Sequence, residues 1–401
     1  MTGAFRPGVR GRRVPASNRT VMSRRMAKHP TAANDQTKRG QPMPDGILPC
    51  QAISELIAAG HVRAASAIPA GQVQPASLDL RLGPVAHRVR ASFLPGEHTP
   101  VARRLEQLAL HEFEFGDKGK VLEVGCVYLI PLLESLDLPA GISAMANPKS
   151  STGRLDVFTR VIADGVTAFD QIPAGFTGKL WLEVCPQSFP IVVREGSRLS
   201  QIRFRAGKPA DDDAALRELH ARETLVSGNT ADIAGGIGLS VDLAGSGDGL
   251  IGYRAKRHSG VVDVDKQGVC EISDYWERIQ IRDKRLILDP DQFYILASKE
   301  AVHVPPTHAA EMMPFNPLVG EFRVHYAGFM DPGFGHTKAG GKGSRVVLEV
   351  RSHKVPFVLE DGQIIGRLIY ERLTEVPERL YGSGIGSNYQ GQGLKLSKHF
   401  R

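Results

Sequence analysis

The sequence predicts an all-β protein made of two tandem barrel-like domains with a few short helices. A module written twice and many short strands separated by glycine or proline are the observations that predict it. A period this long indicates tandem domains and not a solenoid. Five residue pairs share an interval of 166 positions: Tyr128 and Tyr294, Pro139 and Pro305, Glu183 and Glu349, Pro190 and Pro356, and Gly196 and Gly362.

The strand pattern is clearest in two matched segments. Residues 179–184 (KLWLEV) and 344–350 (SRVVLEV) alternate in side-chain direction and are rich in β-branched or aromatic residues. The motif SLDL at 77–80 also returns as SVDL at 240–243. Many short strands need an arrangement that covers their edges, so we expect each half to be a distorted, jelly-roll-like barrel.

Five segments are predicted along the chain. A basic leader at 1–44, rich in Arg, Pro and Gly, is expected to be disordered. The first repeat, 45–210, opens with a helix, because Ile53, Leu56 and Ile57 fall at i, i+3 and i+4. A helical linker at 211–235 has an acidic start suited to a helix N-terminus. The second repeat covers 236–376, and a glycine-rich lid covers 377–401.

The sequence does not decide what the leader at 1–44 does. It lacks the apolar core of a secretory signal. Its Arg/Ser-rich, acid-poor composition fits an organellar address. The alternative is a later start of translation at Met22, Met26 or Met43.

Composition narrows the class of protein. The net charge is +7, but residues 1–43 hold ten basic residues and one acid, so the rest is not basic and binding to a nucleic-acid polymer is not expected. No apolar run approaches the ~20 residues that cross a bilayer, so we expect no membrane association. Four dispersed cysteines without a C-x-x-C pair predict neither zinc nor disulfides, and they favour a reducing cytoplasm.

Three places concentrate reactive groups. The loop from Lys149 to Arg154 combines two cations with the hydroxyls of Ser150 and Ser151, which suits phosphate oxygens and an oriented water. Such loops are also common as solvated turns. A turn at Asp331-Pro-Gly brings a carboxylate and free N–H groups together, although many such turns are purely structural.

The glutamates of the two Leu-Glu-Val strands form the third place. For Glu183 and Glu349 the simpler interpretation is the charged outer face of a half-buried strand. Each, however, follows a large apolar residue on its own face, Trp181 and Val347, so desolvation would raise the glutamate pKa into a range useful for proton transfer.

The C-terminal segment carries groups able to close over a polyanionic ligand. It contains Tyr381, Asn388, Tyr389, Gln390 and Gln392, followed by late lysines. The simpler alternative is a frayed terminus.

Taken in order, these motifs resemble those of the dCTP deaminases of the trimeric dUTPase-like superfamily, in a double-length form. The resemblance covers nearly everything from residue 45 to the end. Its motifs are SLDLRLG at 77–83, KSSxxR at 149–154, AGxMDPGF at 327–334, LEV at 182–184 and 348–350, DGQIIG at 361–366, and YxxxxxxNYQGQG at 381–393. It implies hydrolytic deamination of dCTP to dUTP and ammonia, with Mg²⁺ bound through the triphosphate and no zinc.

The resemblance also implies a role for individual residues. Ser150 and Arg154 would orient the water, and Glu349 or Glu183 would be the general acid and base. A lysine at position 149 stands where the family usually has arginine, and an asparagine at 388 replaces a usual lysine. The implied substrate-binding residues are Lys149, Ser151, Asp331, Val347, Leu348, Tyr381, Asn388 and Gln392.

The two repeats depart from the family pattern in complementary ways. The first keeps the Ser/Arg loop but reads IPAGF at 172–176 where DPGF is expected. The second keeps DPGF at 331–334 but reads FNPLVG at 315–320 where the loop should be. We therefore expect one composite site that combines the loop of the first repeat with Asp331, Glu349 and the tail.

Two other functions remain open at this stage. A dUTPase, or a bifunctional deaminase and diphosphatase, uses the same fold and lid but attacks the α-phosphate. A non-catalytic nucleotide-binding protein would be favoured if both glutamates were surface residues. The resemblance implies threefold or pseudo-threefold packing, so we expect a homo-oligomer.

Overall fold

Strands dominate both repeats. In the computed structural model the described residues are 44–228, 231–245, 247–281, 283–313, the backbone of 322–325, 328–352, 354–382 and 389–401. The FNPLVG segment at 315–320, Asn388 and the leader up to residue 43 lie outside these ranges. The described residues form one compact unit.

The first repeat contains three helices and a short 3₁₀ turn at Ala70–Gln72. The helices are α1 (Cys50–Ala58), α2 (Val101–Leu108) and α3 (Ser150–Gly153). The strands are β1 (Gly46–Ile47), β2 (Val62–Ala64), β3 (Leu78–Leu80), β4 (Val85–Val89), β5 (Ala109–Glu114), β6 (Lys120–Leu122), β7 (Val127–Asp137), β8 (Ile142–Pro148), β9 (Val157–Ala163), β10 (Gln171–Ile172), β11 (Thr177–Pro186), β12 (Ile191–Val193) and β13 (Ser200–Ala206).

The linker and the second repeat follow the same plan. They hold helices α4 (Asp213–Arg222) and α5 (Ile272–Tyr275), with a 3₁₀ turn at Thr337–Ala339. The strands are β14 (Ile237–Ser240), β15 (Leu250–Ala255), β16 (Val262–Asp263), β17 (Trp276–Gln280), β18 (Arg285–Leu288), β19 (Phe293–Val302), β20 (His308–Met313), β21 (Phe322–His325), β22 (Phe329–Met330), β23 (Ser344–Ser352), β24 (Phe357–Glu360) and β25 (Ile364–Arg372).

Sheet topology confirms the internal repeat. The order β3-β13-β8-β10 in the first repeat corresponds to β14-β25-β20-β22 in the second, and β5-β4-β7-β11-β9 corresponds to β17-β15-β19-β23-β21. One side-chain contact recurs at the predicted interval: the Tyr128 hydroxyl accepts from the Glu123 N–H at 3.1 Å, and that of Tyr294 from the Asp289 N–H at 2.9 Å. The all-β prediction with a few short helices is therefore confirmed.

Local signals explain the predicted helices. Helix α1 buries Ile53 and Leu56 on one face, and the chain turns at Gly60 with φ of 76°, which glycine adopts without strain. Helix α4 lies in the acidic stretch that predicts it, and the Asp212 carboxylate caps it by accepting from the Ala215 N–H at 2.8 Å. No helix in the described ranges is long and apolar enough to cross a membrane.

The two repeats share one interface rather than standing apart. Strand β12 of the first repeat pairs in parallel with β16 of the second. Trp276 of the second repeat packs edge-on against Phe189 of the first, with ring centroids 5.3 Å apart. Phe400, near the C-terminus, adds a third ring to this cluster, 5.7 Å from Trp276. This interface brings the loop after β8 close to strand β23.

Candidate active site

The Ser/Arg loop leaves β8 at Pro148 and turns through the single-turn helix α3 into Arg154. The Arg154 side chain is enclosed, with the residue 4% exposed. Its Nη1 donates to the Lys395 carbonyl at 2.9 Å, and the guanidinium lies over the Tyr389 ring, 3.9 Å from its centroid. A cation over an aromatic face is stabilised further when desolvated. The loop is thus held against the C-terminal segment.

Glu349 lies in the middle of β23, between β19 and β21. It is 5% exposed, and its Oε2 has no hydrogen-bond partner among the described residues. Burial raises the pKa of this carboxyl well above its usual range; Arg154 opposes the shift and Asp156 adds to it. The second repeat therefore supplies a desolvated carboxyl group that lies near a cation of the first repeat and has one oxygen without a partner in the described part of the chain.

Glu183, the counterpart in the first repeat, is also buried but is committed to a neighbour. Its Oε1 accepts from Arg160 Nε at 2.9 Å and from Nη2 at 2.6 Å. The Arg160 guanidinium lies over the ring of Phe169, 3.7 Å from its centroid. The interpretation of the glutamates as a solvated outer face is wrong for both residues, because both side chains are enclosed.

Asp331 sits just after β22 and faces the first repeat. Its Oδ1 lies 3.4 Å from Nη2 of Arg203, a fully buried residue of β13 that also lies over the Phe329 ring, 4.0 Å from its centroid. Burial raises the Asp331 pKa; Arg203 and Lys149 oppose the shift. Lys149 therefore lies near Asp331, which places both ends of the predicted composite site together.

Cations gather around a second buried carboxylate, that of Asp79. Lys149 forms an ion pair with Asp79, and Arg198 lies 3.5 Å from the other oxygen of Asp79. Burial, together with Lys149, lowers the pKa of Lys398 in the C-terminal segment, and Arg198 also contributes to the decrease. Three cations around one carboxylate form a region suited to a polyphosphate.

The remaining predicted residues lie either in the Ser/Arg loop or on strand β23. Ser151 is buried, and its carbonyl accepts from Ser397 Oγ at 2.7 Å, whereas Ser150 is half-buried. The side chain of Leu348 is wholly enclosed in the core of the second repeat, so the structure does not support its contact with a substrate. Val347, on the opposite face, packs against the core that contains Trp276.

The tail differs from the predicted glycine-rich lid. Tyr381 lies against the Asp331 turn, where its N–H donates to the Pro332 carbonyl at 2.8 Å. Gln392 Nε2 donates to the Arg345 carbonyl at 3.1 Å, and its Oε1 lacks a partner in the described part of the chain.

The last residues are structural. Phe400 joins the aromatic cluster, its backbone pairs with Cys270, and Ser397 and His399 are buried. Residues 394–401 complete a core between the repeats, so this part of the predicted lid is docked and is not a loose glycine-rich segment.

Sequence reasoning missed four residues of this region. Asp79 was within reach, because it belongs to the repeated SLDL motif. Arg203 contacts Asp331 of the other repeat, and spacing along the chain does not reveal such a contact. The four are Asp79, Asp156, Arg198 and Arg203. Within the described ranges no cluster of three or more His, Cys, Asp or Glu side chains could hold a metal ion.

Comparison with known proteins gives one consistent result. Residues 44–208 match the model of the 2'-deoxycytidine 5'-triphosphate deaminase N-terminal domain, and residues 212–400 match that of the C-terminal domain. A crystal structure of 2'-deoxycytidine 5'-triphosphate deaminase from Agrobacterium tumefaciens is 60% identical, with a TM-score of 0.79 over 82% of this chain and 99% of that one.

Curated relatives are shorter matches. A "dCTP deaminase, dUMP-forming" of Methanoculleus marisnigri is 34% identical over 39% of this chain and 81% of its own length. That of Beutenbergia cavernae is 36% identical over 27% of this chain and 55% of its own length. That of Halobacterium salinarum is 34% identical over 30% of this chain. The chain thus spans only 55% and 60% of the Beutenbergia and Halobacterium relatives.

Proposed function

Since this chain belongs to the dCTP deaminase family, we propose that it hydrolyses dCTP to dUTP and ammonia at one composite site per chain. The observation that carries this proposal is that a carboxyl group of the second repeat lies near a cation of the first repeat. Glu349 is buried with an uncommitted carboxylate oxygen, and it lies near Arg154 from the other repeat. A carboxyl group with a raised pKa can both accept and return protons near neutral pH.

The chemistry assigns one role to each group. Water adds to C4 of cytosine while Glu349 takes one of its protons and passes it to the ring nitrogen. Glu349 then takes the proton of the new C4 hydroxyl and passes it to the departing amine. The C4–N bond then breaks, and ammonia leaves a uracil ring. Arg154, with Ser150 beside it, orients the water and stabilises developing negative charge. The arginine is already fixed by Tyr389 and the Lys395 carbonyl, so little reorganisation is needed.

The cationic region would receive the triphosphate. Lys149, Arg198 and Lys398 surround Asp79, and Asp331 lies next to them as the candidate partner of the deoxyribose hydroxyl. Mg²⁺ would arrive with the substrate, because it binds through phosphate oxygens and keeps several waters. Lysine in place of arginine at position 149 retains charge but gives no bidentate contact.

A second product is favoured by one specific observation. The relatives from Beutenbergia, Methanoculleus and Halobacterium are named as dUMP-forming. In that reaction dUTP would be hydrolysed further to dUMP and pyrophosphate. The Agrobacterium protein, which is more similar and matches over most of the chain, carries the plain deaminase description. We therefore place dUTP first and dUMP second.

One assay separates these products. Purified protein is incubated with dCTP and Mg²⁺, and ammonia, dUTP, dUMP and pyrophosphate are quantified over time. The proposal predicts ammonia and dUTP in equal amounts. Ammonia with dUMP and pyrophosphate would select the second candidate. No ammonia from a folded protein that binds dCTP would contradict both.

The proposal also covers assembly and cellular location. A homo-oligomer with threefold or pseudo-threefold packing follows from the family resemblance, and light scattering in solution tests it. The four cysteines are unpaired thiols, which matches the reducing cytoplasm that we propose as the setting. Fractionation of cells that make the untagged protein would test that location.

A further inference from the structure

Asp156 is a buried acid that follows the Ser/Arg loop. It is 0% exposed, and its φ of 57° is left-handed, a conformation that a non-glycine residue adopts only when its surroundings hold it. Its Oδ2 accepts from Ser188 Oγ at 2.5 Å and forms an ion pair with Nη2 of Arg351. Arg351 Nη1 also donates to the Asp291 carbonyl at 2.7 Å.

This ion pair joins the two repeats next to the residues of the proposed site. Asp156 comes two residues after Arg154 in the first repeat, and Arg351 comes two residues after Glu349 in the second. Residues i and i+2 of a strand share a face, so Arg351 and Glu349 point to the same side of β23. The pair therefore ties together the two segments that carry the proposed water-orienting cation and the proposed base.

We propose that the Arg351–Asp156 ion pair is a positioning pair, which fixes the Arg154 segment of the first repeat against the Glu349 strand of the second. This inference rests on the proposed function of that site. A displacement of about 1 Å between catalytic groups is enough to lower a rate by about 100-fold. Neither residue touches the reacting atoms; each acts through its neighbour.

A positioning role of this kind also has an electrostatic signature. Among the residues whose side chains are described, the charged or titratable groups that act on Glu349 are Arg154, Asp156 and Tyr389. The negative charge of Asp156 favours the protonated form of Glu349. Loss of that charge moves the acidic limb of the kcat profile, which follows ionisation of Glu349, to lower pH.

Asp156→Asn is the central variant, because asparagine keeps the shape and tolerates the left-handed backbone. We expect kcat to fall by about 10- to 100-fold, with the acidic limb displaced to lower pH. Ser188→Ala removes the hydroxyl that contacts both members of the pair, donating to Asp156 Oδ2 at 2.5 Å and accepting from Arg351 Nη2 at 3.3 Å. It should therefore loosen the pair and lower kcat a few-fold in a fully folded protein. It keeps the proposal testable if Asp156→Asn fails to fold.

Asp263→Asn is the matched control. Asp263 forms another ion pair between the repeats, with Arg194 at 2.8 Å, but adjoins neither Arg154 nor Glu349 in sequence. We expect a lower Tm with kcat and its pH profile unchanged. Wild-type ammonia release is measured first, and its absence would count against the proposed function instead. With an active wild type, the positioning pair is overturned by an unmoved acidic limb or normal kcat in Asp156→Asn. Normal kcat in Ser188→Ala, or an equal loss of kcat in Asp263→Asn, would also overturn it.

Discussion

Glu183 and Glu349 occupy equivalent positions in the two repeats, yet their surroundings differ in one decisive respect. Glu183 is neutralised by Arg160, which contacts both Glu183 and two phenylalanine rings. Glu349 is equally buried, but its nearby cation, Arg154, is held by the tail. A buried carboxyl can be either a structural ion or a proton carrier, and the partner decides which. We therefore propose that Glu349 serves the chemistry and that Glu183 serves the structure.

The largest expected effect separates the two glutamates by activity. Glu349→Gln should lower kcat by at least about 1000-fold, because the amide keeps the shape but cannot carry a proton. Glu183→Gln should stay within about fivefold of the wild type, since its carboxylate is committed to Arg160. Ammonia release gives kcat, and calorimetry with dCTP checks that Glu349→Gln still binds. A dead Glu183→Gln beside an active Glu349→Gln would reverse the assignment.

The arginines sharpen the same comparison. Arg154→Ala should lower kcat by about 100- to 1000-fold, as loss of a preorganised donor to a developing charge does. Arg160→Ala is its control, because Arg160 lies over an aromatic ring in the same way but belongs to the first-repeat glutamate. We expect Arg160→Ala to reduce Tm and leave kcat within a few-fold. Equal losses of kcat in the two variants would show that packing, not chemistry, explains the arginine effect.

A smaller effect is expected from the C-terminal segment. Deletion of residues 394–401 removes Phe400 from the aromatic cluster and removes the carbonyl that accepts from Arg154. We expect a less stable protein with a higher KM for dCTP, because Lys398 is lost as well. Phe400→Ala should cost about 2 kcal/mol of unfolding free energy while KM changes little. A truncated protein with normal Tm would contradict this expectation and would favour the simpler interpretation that the segment is a loose terminus.

The smallest effect is a difference in stability that depends on pH. Burial raises the folded-state pKa of Glu349, so its ionisation opposes folding as pH rises from the unfolded-state pKa of about 4.3. Below that pH the carboxyl is protonated in both states and the penalty is absent. Glu349→Gln should therefore raise Tm by about 2 °C or more at pH 8 and by nothing near pH 4.

The matched variant has the opposite sign. Glu183→Gln should cost about 2 kcal/mol, because it leaves the Arg160 cation without its carboxylate. Thermal unfolding followed by circular dichroism at several pH values measures both. A loss of stability in Glu349→Gln at pH 8 would mean that the Glu349 carboxylate is stabilised by a partner.

Much of the fold was predictable because it is written twice. The 166-residue interval and the alternating strands predicted two all-β repeats, and the departures in the Ser/Arg loop and the DPGF turn predicted a shared site. The choice between Glu183 and Glu349 was predicted only through the expectation of a composite site, since both glutamates follow the same Leu-Glu-Val pattern. It depends on Arg160, whose pairing across β9 and β11 follows from register.

The sequence did not predict two further features, the contacts between repeats and the docking of the tail, and both failures have physical reasons. Arg203 and Arg351 form contacts between repeats, and such contacts arise from packing that local patterns do not encode. The tail was interpreted as a lid because glycine-rich segments bury little surface, but the residues after Gly393 carry the apolar groups that dock. The glycine-rich composition holds for the first half of the tail only, so the lid prediction does not apply to the second half.

The most direct test of the composite site uses two variants that are each inactive. Arg154→Ala damages the first-repeat loop, and Glu349→Gln damages the second-repeat strand. The two purified proteins are unfolded together, refolded and assayed for ammonia release, with refolded wild type as the control for recovery. Arg154 and Glu349 lie together within one chain. Every site in the mixture therefore still carries one lesion, and we predict no activity above that of the separate variants. Recovery of a substantial fraction of wild-type activity would contradict this account, because it requires a loop from one chain and a glutamate from another.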